Sequence, residues 1–249
     1  MYAIIGDIHG SFNTFEALIE RILPYKIKCF IFVGDLVDRG KYSKEVINLA
    51  MEISKRYEVI LIRGNHEDMM LDYVNSEGRY DEGVWFANGG YQTVKSFSES
   101  LYYSAYFNYE NISYELKILC ENELKFLNKV KLYHTLKFDN TTFFISHAGI
   151  EYENVSPFRQ LDYVKDEYEK NIYHPYIWSR VVDDFKNKIN DFIFIHGHTP
   201  VKEVYINKNK NDEIISINID TGCVYGNKLT AMLLNEDGSF QFISERYKG

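Results

Sequence analysis

Apolar positions in the first third of the chain recur with two alternating periods. Tyr2 to Ile5 is a short apolar run that ends at Gly6-Asp7. Ser11 to Leu23 then sets Phe12, Phe15, Leu18, Ile19 and Ile22 at helical spacing. Cys29 to Val33 is a second apolar run, ending at Gly34-Asp35. Glu45 to Lys55 returns to helical spacing, with Val46, Leu49, Ala50 and Ile53 on one face. Val59 to Ile62 is a third run, ending at Gly64-Asn65. This order predicts strand, helix, strand, helix, strand, with parallel strands joined by right-handed crossovers.

Farther on, Gly83 to Phe97 and Glu121 to Val130 carry helical patterns. Tyr102 to Tyr114 is rich in Tyr, Asn and Ser and predicts an irregular cap or loop. Strands resume at Thr142 to Ile145 and at Phe192 to Ile195. Shorter ones are expected near Val201 to Ile206, Ile214 to Ile219, Thr230 to Leu234 and Phe240 to Ile243. Asn- and Gly-rich turns separate them at 207–212, 225–227 and 236–238. With 4 prolines, no repeat and nothing linker-like, the expectation is one α/β domain over residues 1–249 with two sheets. A cap or insertion is expected around residues 97–140.

Composition narrows the class. At roughly 150 residues per domain, 249 residues make one large domain or two small ones. Hydrophobic residues at 45% and charged residues at 26% describe a globular chain and not a disordered one. The net charge of −8 argues against gripping a nucleic-acid backbone through bulk charge. The 21 tyrosines and 17 phenylalanines read as compositional drift. Cys29, Cys120 and Cys223 are far apart and odd in number, which predicts reduced, buried thiols. The opening residues lack a secretory pattern, and no apolar run approaches the roughly 18 residues of a membrane helix. The expectation is a cytoplasmic protein with no membrane partner, in which the sequons at Asn111, Asn140 and Asn154 are chance.

Ligands of parallel α/β sheets gather beyond the carboxyl ends of the strands. The first predicted strand is followed by Gly6-Asp7-Ile8-His9-Gly10 and the second by Gly34-Asp35-Leu36-Val37-Asp38-Arg39-Gly40. The third is followed by Gly64-Asn65-His66-Glu67, the fourth by His147-Ala148-Gly149, and the fifth by His196-Gly197-His198-Thr199. One Asp after a strand is ordinarily a helix N-cap, and one buried His is ordinarily just hydrogen-bonded. Five such strand ends in succession predict convergence on a single edge. Carboxylate, amide and imidazole without thiolate suit manganese, iron, zinc, cobalt or nickel.

In this order the five segments resemble the calcineurin-like metallophosphoesterases. More narrowly they resemble the phosphoprotein phosphatase branch, that of the phage lambda phosphatase and its bacterial relatives. The likeness extends to Arg63-Gly-Asn-His-Glu-Asp-Met-Met, to Trp85 with Asn88-Gly-Gly, to Trp178-Ser-Arg180 and to Ile219-Asp-Thr-Gly222. It implies two packed mixed β-sheets flanked by helices. It also implies a centre of two divalent ions, manganese first, that activates water for direct in-line attack on phosphorus without a phosphoenzyme. Carried over by motif, Asp7 and His9 hold the first ion, Asp35 bridges, and Asn65, His147 and His198 hold the second. His66 is the acid at the leaving oxygen, and Asp38 orients it. Arg39 and Arg180 hold phosphate oxygens.

The resulting expectation is a serine/threonine protein phosphatase, with a symmetrical dinucleoside polyphosphate hydrolase as the alternative. The substrate is a phosphorylated protein or a small phosphoester, and Glu67, where the cousin enzymes often carry Asp, weakly favours the first. A non-catalytic binding module is disfavoured by the complete ligand set, and a nuclease or RNA-end phosphatase by the acidic charge. His134, His174 and Cys223 are expected to be packing or surface residues. His196 and Asp220 are candidates to orient a ligand from behind, and Lys202 to Lys210 is expected to be a solvated hairpin. Oligomeric state has no signal in the sequence.

Overall fold

The structure is a computed structural model that describes residues 1–108, 112–160 and 174–249. The sequon at Asn111 lies outside the described residues. The first half runs β1 (Tyr2–Ile5), α1 (Phe12–Ile22), β2 (Cys29–Phe32), α2 (Ser43–Ser54), β3 (Glu58–Leu61) and α3 (Asn65–Asn75). Next come α4 (Glu82–Trp85), α5 (Tyr91–Phe97), α6 (Glu99–Asn108), α7 (Ser113–Leu119) and α8 (Glu121–Leu127). The remaining strands are β4 (Tyr133–Phe138), β5 (Thr141–Ser146), β6 (Phe192–His196), β7 (Tyr205–Lys208), β8 (Ile214–Asn218), β9 (Lys228–Leu234) and β10 (Phe240–Arg246). A one-turn helix, Pro175–Trp178, precedes β6.

Two mixed sheets form, in the orders β10-β9-β1-β2-β3 and β4-β5-β6-β8-β7. In the first, β1, β2 and β3 are parallel and β9 returns antiparallel beside β1. In the second, β5, β6 and β8 are parallel, and β4 and β7 close the edges antiparallel. Strand alternation decides the layers. Ile4, Ile31 and Ile60 point inward and meet Phe143, Ile145, Ile195 and Ile217 between the sheets. Their neighbours Ala3, Ile5, Phe30 and Phe32 point outward under Phe15, Leu18, Val46 and Ile47 of α1 and α2. On the far side, Phe144, Phe194 and Ile215 are covered by Ile150, Tyr176 and Val182. No helix among the described residues is long and apolar enough to cross a membrane.

Three expectations need correction. The helix predicted over Gly83 to Phe97 is broken by a wide turn, Phe86–Gly90, with Gly89 at φ +112°. The break lets the Gly89 carbonyl accept the Arg39 N–H at 3.3 Å. The irregular segment predicted over Tyr102 to Tyr114 is largely helical, because α6 runs to Asn108 and α7 starts at Ser113. Only Leu101 and Ala105 of α6 are buried, while Tyr103, Tyr106 and Phe107 are exposed. Aromatic residues around the whole helix erase the periodicity that would have announced it. The strand expected from Val201 begins only at Tyr205, because Val201 donates its N–H to the Asp220 carbonyl at 2.9 Å.

Candidate metal centre and its relatives

The carboxyl ends of β1, β2, β3, β5 and β6 deliver Asp7, Asp35, Asn65, His147 and His198 to one edge. Asp35 lies at the middle. Its Oδ2 is 3.3 Å from His9 Nε2, 3.4 Å from His147 Nε2 and 3.9 Å from His66 Nε2. Two groups of donor atoms share this carboxylate, His9–Asp35–His66 and Asp35–His147–His198, each lying within 4.8 Å. The Asn65 Oδ1 joins the second group, 3.1 Å from His147 Nε2 and 3.0 Å from His198 Nδ1. Asp7 lies outside both groups, and its carboxylate accepts the His198 backbone N–H at 3.1 Å.

The donor set fits divalent ions. His9 Nδ1 and His147 Nδ1 each lie 2.9 Å from a backbone carbonyl oxygen, Val37 and Val33. In the neutral ring, donation there turns the Nε2 lone pair toward Asp35, the arrangement that orients ligating histidines. The buried Nε2 atoms of His66 and His198 have no hydrogen-bond partner. A Cβ on Gly64 would sit 2.2 Å from Asp35 Oδ1, and one on Gly197 2.0 Å from Asp7 Oδ1. Both carboxylates occupy space that only glycine leaves open. Five candidate residues take the left-handed backbone region: His9, Asp35, Asp38, Arg39 and His198, with φ between 46° and 72°. Strain of this kind concentrates at functional sites.

Charge is arranged to match. Burial pushes Asp35 up, but His147, His66 and His9 outweigh it and hold the carboxyl well below its usual range. Burial and then the Asp220 charge raise Asp7 well above its usual value. Asp220 itself is pushed up to about 6, chiefly by burial. Burial lowers His198 to about 2, with His147 adding to the effect. His147 rises to about 10 because Asp35, Asp7 and Glu67 overcome its burial. A buried edge that crowds carboxylates and imidazoles in this way is poised for cations.

Asp38 and His66 form a buried pair, with Oδ2 to Nδ1 at 2.7 Å. Trp85 Nε1 donates to both Asp38 oxygens at 3.0 Å, and Thr93 Oγ1 donates to Oδ1 at 2.6 Å. These partners lie 47 and 55 residues away in sequence, so no local pattern announces them. Arg39 Nη1 is 2.7 Å from His9 Nε2. Arg180 sits at the exposed rim, donating to the His198 carbonyl at 3.2 Å and to Thr199 Oγ1 at 3.1 Å.

Glu67 has a part that sequence reading left open. Its buried carboxylate accepts the N–H of Asp35 at 2.8 Å, Leu36 at 2.7 Å and Gly64 at 3.1 Å. It thereby clamps the loop after β2 to the start of α3. The signal available was the capping-box spacing, an acid three residues after Gly64. His196 turns away to Asp183 Oδ1 at 3.0 Å. Alternation would have put it beside His198, but the left-handed turn at His198 ends the strand geometry first. His174 caps the Pro175–Trp178 helix by accepting the Tyr176 N–H on Nδ1 at 3.2 Å. His134 is half-buried in β4. The three cysteines are buried and unbridged, and burial raises the Cys223 thiol to about 11.

A shared carboxylate ringed by imidazoles at the strand ends of a two-sheet sandwich defines a class. The chain belongs to the calcineurin-like phosphoesterases, whose family model matches residues 2–238. It is a metallophosphoesterase, a hydrolase of phosphoric ester bonds. Over nearly its whole length it is similar to bacterial proteins named asymmetrical bis(5'-nucleosyl)-tetraphosphatase PrpE. The likeness is 30% to that of Bacillus subtilis, covering 94% of this chain and 91% of the relative. It is 27% to that of Anoxybacillus flavithermus, covering 100% and 98%. Among solved structures, one described provisionally as a diadenosine tetraphosphatase superposes with a TM-score of 0.58 at 17% identity, covering 98% and 93%. That likeness shows the fold.

Proposed function

We propose that this protein hydrolyses dinucleoside tetraphosphates asymmetrically, splitting the four phosphates three to one. Water and the dinucleotide then give one nucleoside triphosphate and one nucleoside monophosphate. The observation that carries the chemistry is the Asp35 carboxylate, common to two imidazole groups, with the His66–Asp38 pair beside it. The substrate rests on the relatives' names, and it replaces both the protein phosphatase and the symmetrical hydrolase expected from sequence. Glu67, which had favoured the phosphatase, is buried and spent on backbone N–H groups, so it does not discriminate substrates.

In this reading Asp7 and His9 hold one ion, Asn65, His147 and His198 hold another, and Asp35 serves both. Manganese is the first choice among the metals that such oxygen and nitrogen donors suit. When bound, the ions supply Lewis acidity toward phosphate oxygens and acidify water toward neutral pH. Arg39 and Arg180 bring planar guanidinium groups to the phosphate oxygens. Asp38 keeps the His66 ring oriented, so that Nε2 is the atom that gives a proton to the leaving oxygen. An oligophosphate leaves as a weak base and asks less of that proton than an alkoxide does.

The test is to supply the manganese-loaded protein with diadenosine tetraphosphate and, separately, with a phosphoserine peptide, and to separate the products by anion exchange. Equal AMP and ATP support the proposal. Two ADP would make the enzyme symmetrical, and a higher kcat/KM on the phosphopeptide would return it to the protein phosphatases.

A further inference from the structure

A cavity of 540 Å³ opens beside the centre, between the turn 200–203 and the loop 222–227. One wall continues directly from His198 and Thr199, and the other from Asp220. The walls are tied together, since Asn227 Nδ2 donates to the Lys202 carbonyl at 2.8 Å and to the Thr221 carbonyl at 2.7 Å. Asp220 Oδ1 accepts the Gly222 N–H at 3.0 Å, which fixes the loop to the edge of the centre. The loop turns through Cys223–Tyr225, with Cys223 buried as its anchor. On this rigid turn Tyr225 is 62% exposed. Its ring centre lies 5.8 Å from the Arg39 guanidinium carbon. Arg39 thus touches both the tyrosine ring and His9 of the centre. Gly222 forms the floor, where a Cβ would point at Pro200, Tyr225 and Asn227 from 3.7 to 4.0 Å.

We propose that this cavity is the subsite for a nucleobase of the substrate, with Tyr225 as its stacking platform. The inference rests on the dinucleotide reading above. A phosphate held by Arg39 carries its ribose and base toward the ring that Arg39 itself overlies. Stacking on an aromatic face tolerates any base, because every base has a π-face. The subsite therefore selects nucleotides over other phosphoesters, without choosing among nucleotides. Preformed walls keep the ordering cost of binding small.

Hydrolysis of p-nitrophenyl phosphate by the manganese-loaded protein, inhibited by AMP or by ribose 5-phosphate, isolates the base. The two inhibitors carry the same sugar phosphate, and their ratio cancels any effect of Tyr225 on the reporter. In the unaltered protein AMP is expected to inhibit about tenfold more tightly, the usual worth of one stacked base. Tyr225→Ala is expected to bring the two inhibition constants together, and Tyr225→Phe to keep them apart, because the ring and not the hydroxyl stacks. Equal inhibition in the unaltered protein, or a preference that survives Tyr225→Ala, overturns the subsite. If the AMP preference depends on Tyr225 but diadenosine tetraphosphate is not cleaved, the dinucleotide reading fails while the base subsite stands.

Discussion

Asp35 is the side chain on which most of the centre depends. Three imidazoles face its carboxylate, and their combined charge keeps it ionised against complete burial. Asp35→Asn keeps the shape and removes the charge. It is expected to abolish turnover and to cut bound metal at both positions, measured by elemental analysis after gel filtration; full activity would refute the bridging role. His66 requires a different experiment, because its Nε2 belongs by distance to the His9–Asp35–His66 group. His66→Ala is expected to keep its metal content and to lose ~10²–10⁴-fold in turnover of a phosphoserine peptide, the usual worth of an acid–base group. The loss should be smaller on diadenosine tetraphosphate, whose leaving group needs less protonation. Lost metal would instead make His66 a ligand.

Helices and loops hold these side chains through contacts that sequence shows unevenly. The α3 start is held by Glu67, whose removal leaves the buried N–H groups of Asp35, Leu36, Val37 and Gly64 without this partner. Glu67→Ala is expected to cost about 4 kcal/mol or more, at roughly 1–3 kcal/mol for each orphaned group, read from urea unfolding. The first turn of α3 is braced as well by Asp68, which accepts from Arg63, Arg79 and Tyr80, and Tyr80 in turn accepts from Trp178. The Pro175–Trp178 helix carries a pH-sensitive cap. Burial lowers His174 from 6.5 to about 4. The unfolded chain then binds a proton that the folded chain refuses between these values, so stability falls as pH drops through that window. At pH 5 the loss is about 2 kcal/mol relative to pH 7, at about 1.36 kcal/mol per pKa unit. His174→Asn, which can still accept the Tyr176 N–H, should flatten that part of the pH–stability curve; an unchanged slope would place the titration elsewhere. Elements with one apolar face, such as α1 and α2, were legible. The turn at Phe86–Gly90 and helix α6 were not, because one answers to Arg39 and the other spreads aromatics on every side.

Across the molecule, the centre joins the two sheets, since Asp7, Asp35 and Asn65 follow the first and His147 and His198 follow the second. Without cations, Asp7 and Asp220 face each other's charge in a buried place. We propose that the chain unfolds as a unit and that metal is part of its cohesion. Chelation is expected to lower the single melting transition, and added manganese to restore it in proportion to ln(1 + [Mn]/Kd). Two separate transitions, or a midpoint indifferent to metal, would contradict this.

Motif and order in the sequence were sufficient for the β-α-β-α-β start, for the two-sheet class and for the gathering of Asp7, His9, Asp35, Asn65, His66, His147 and His198 at one edge. The reason is topological, because parallel strands joined by crossovers bring every carboxyl end to the same edge whatever the loops do. Sequence could not show that Trp85 and Thr93 hold Asp38, that Glu67 clamps two loops, or that Tyr225 stands beside Arg39. These are meetings of side chains from elements distant in the chain, arranged by packing and by left-handed turns at His9, Asp38, Arg39 and His198, a backbone region that costs energy for any residue with a Cβ.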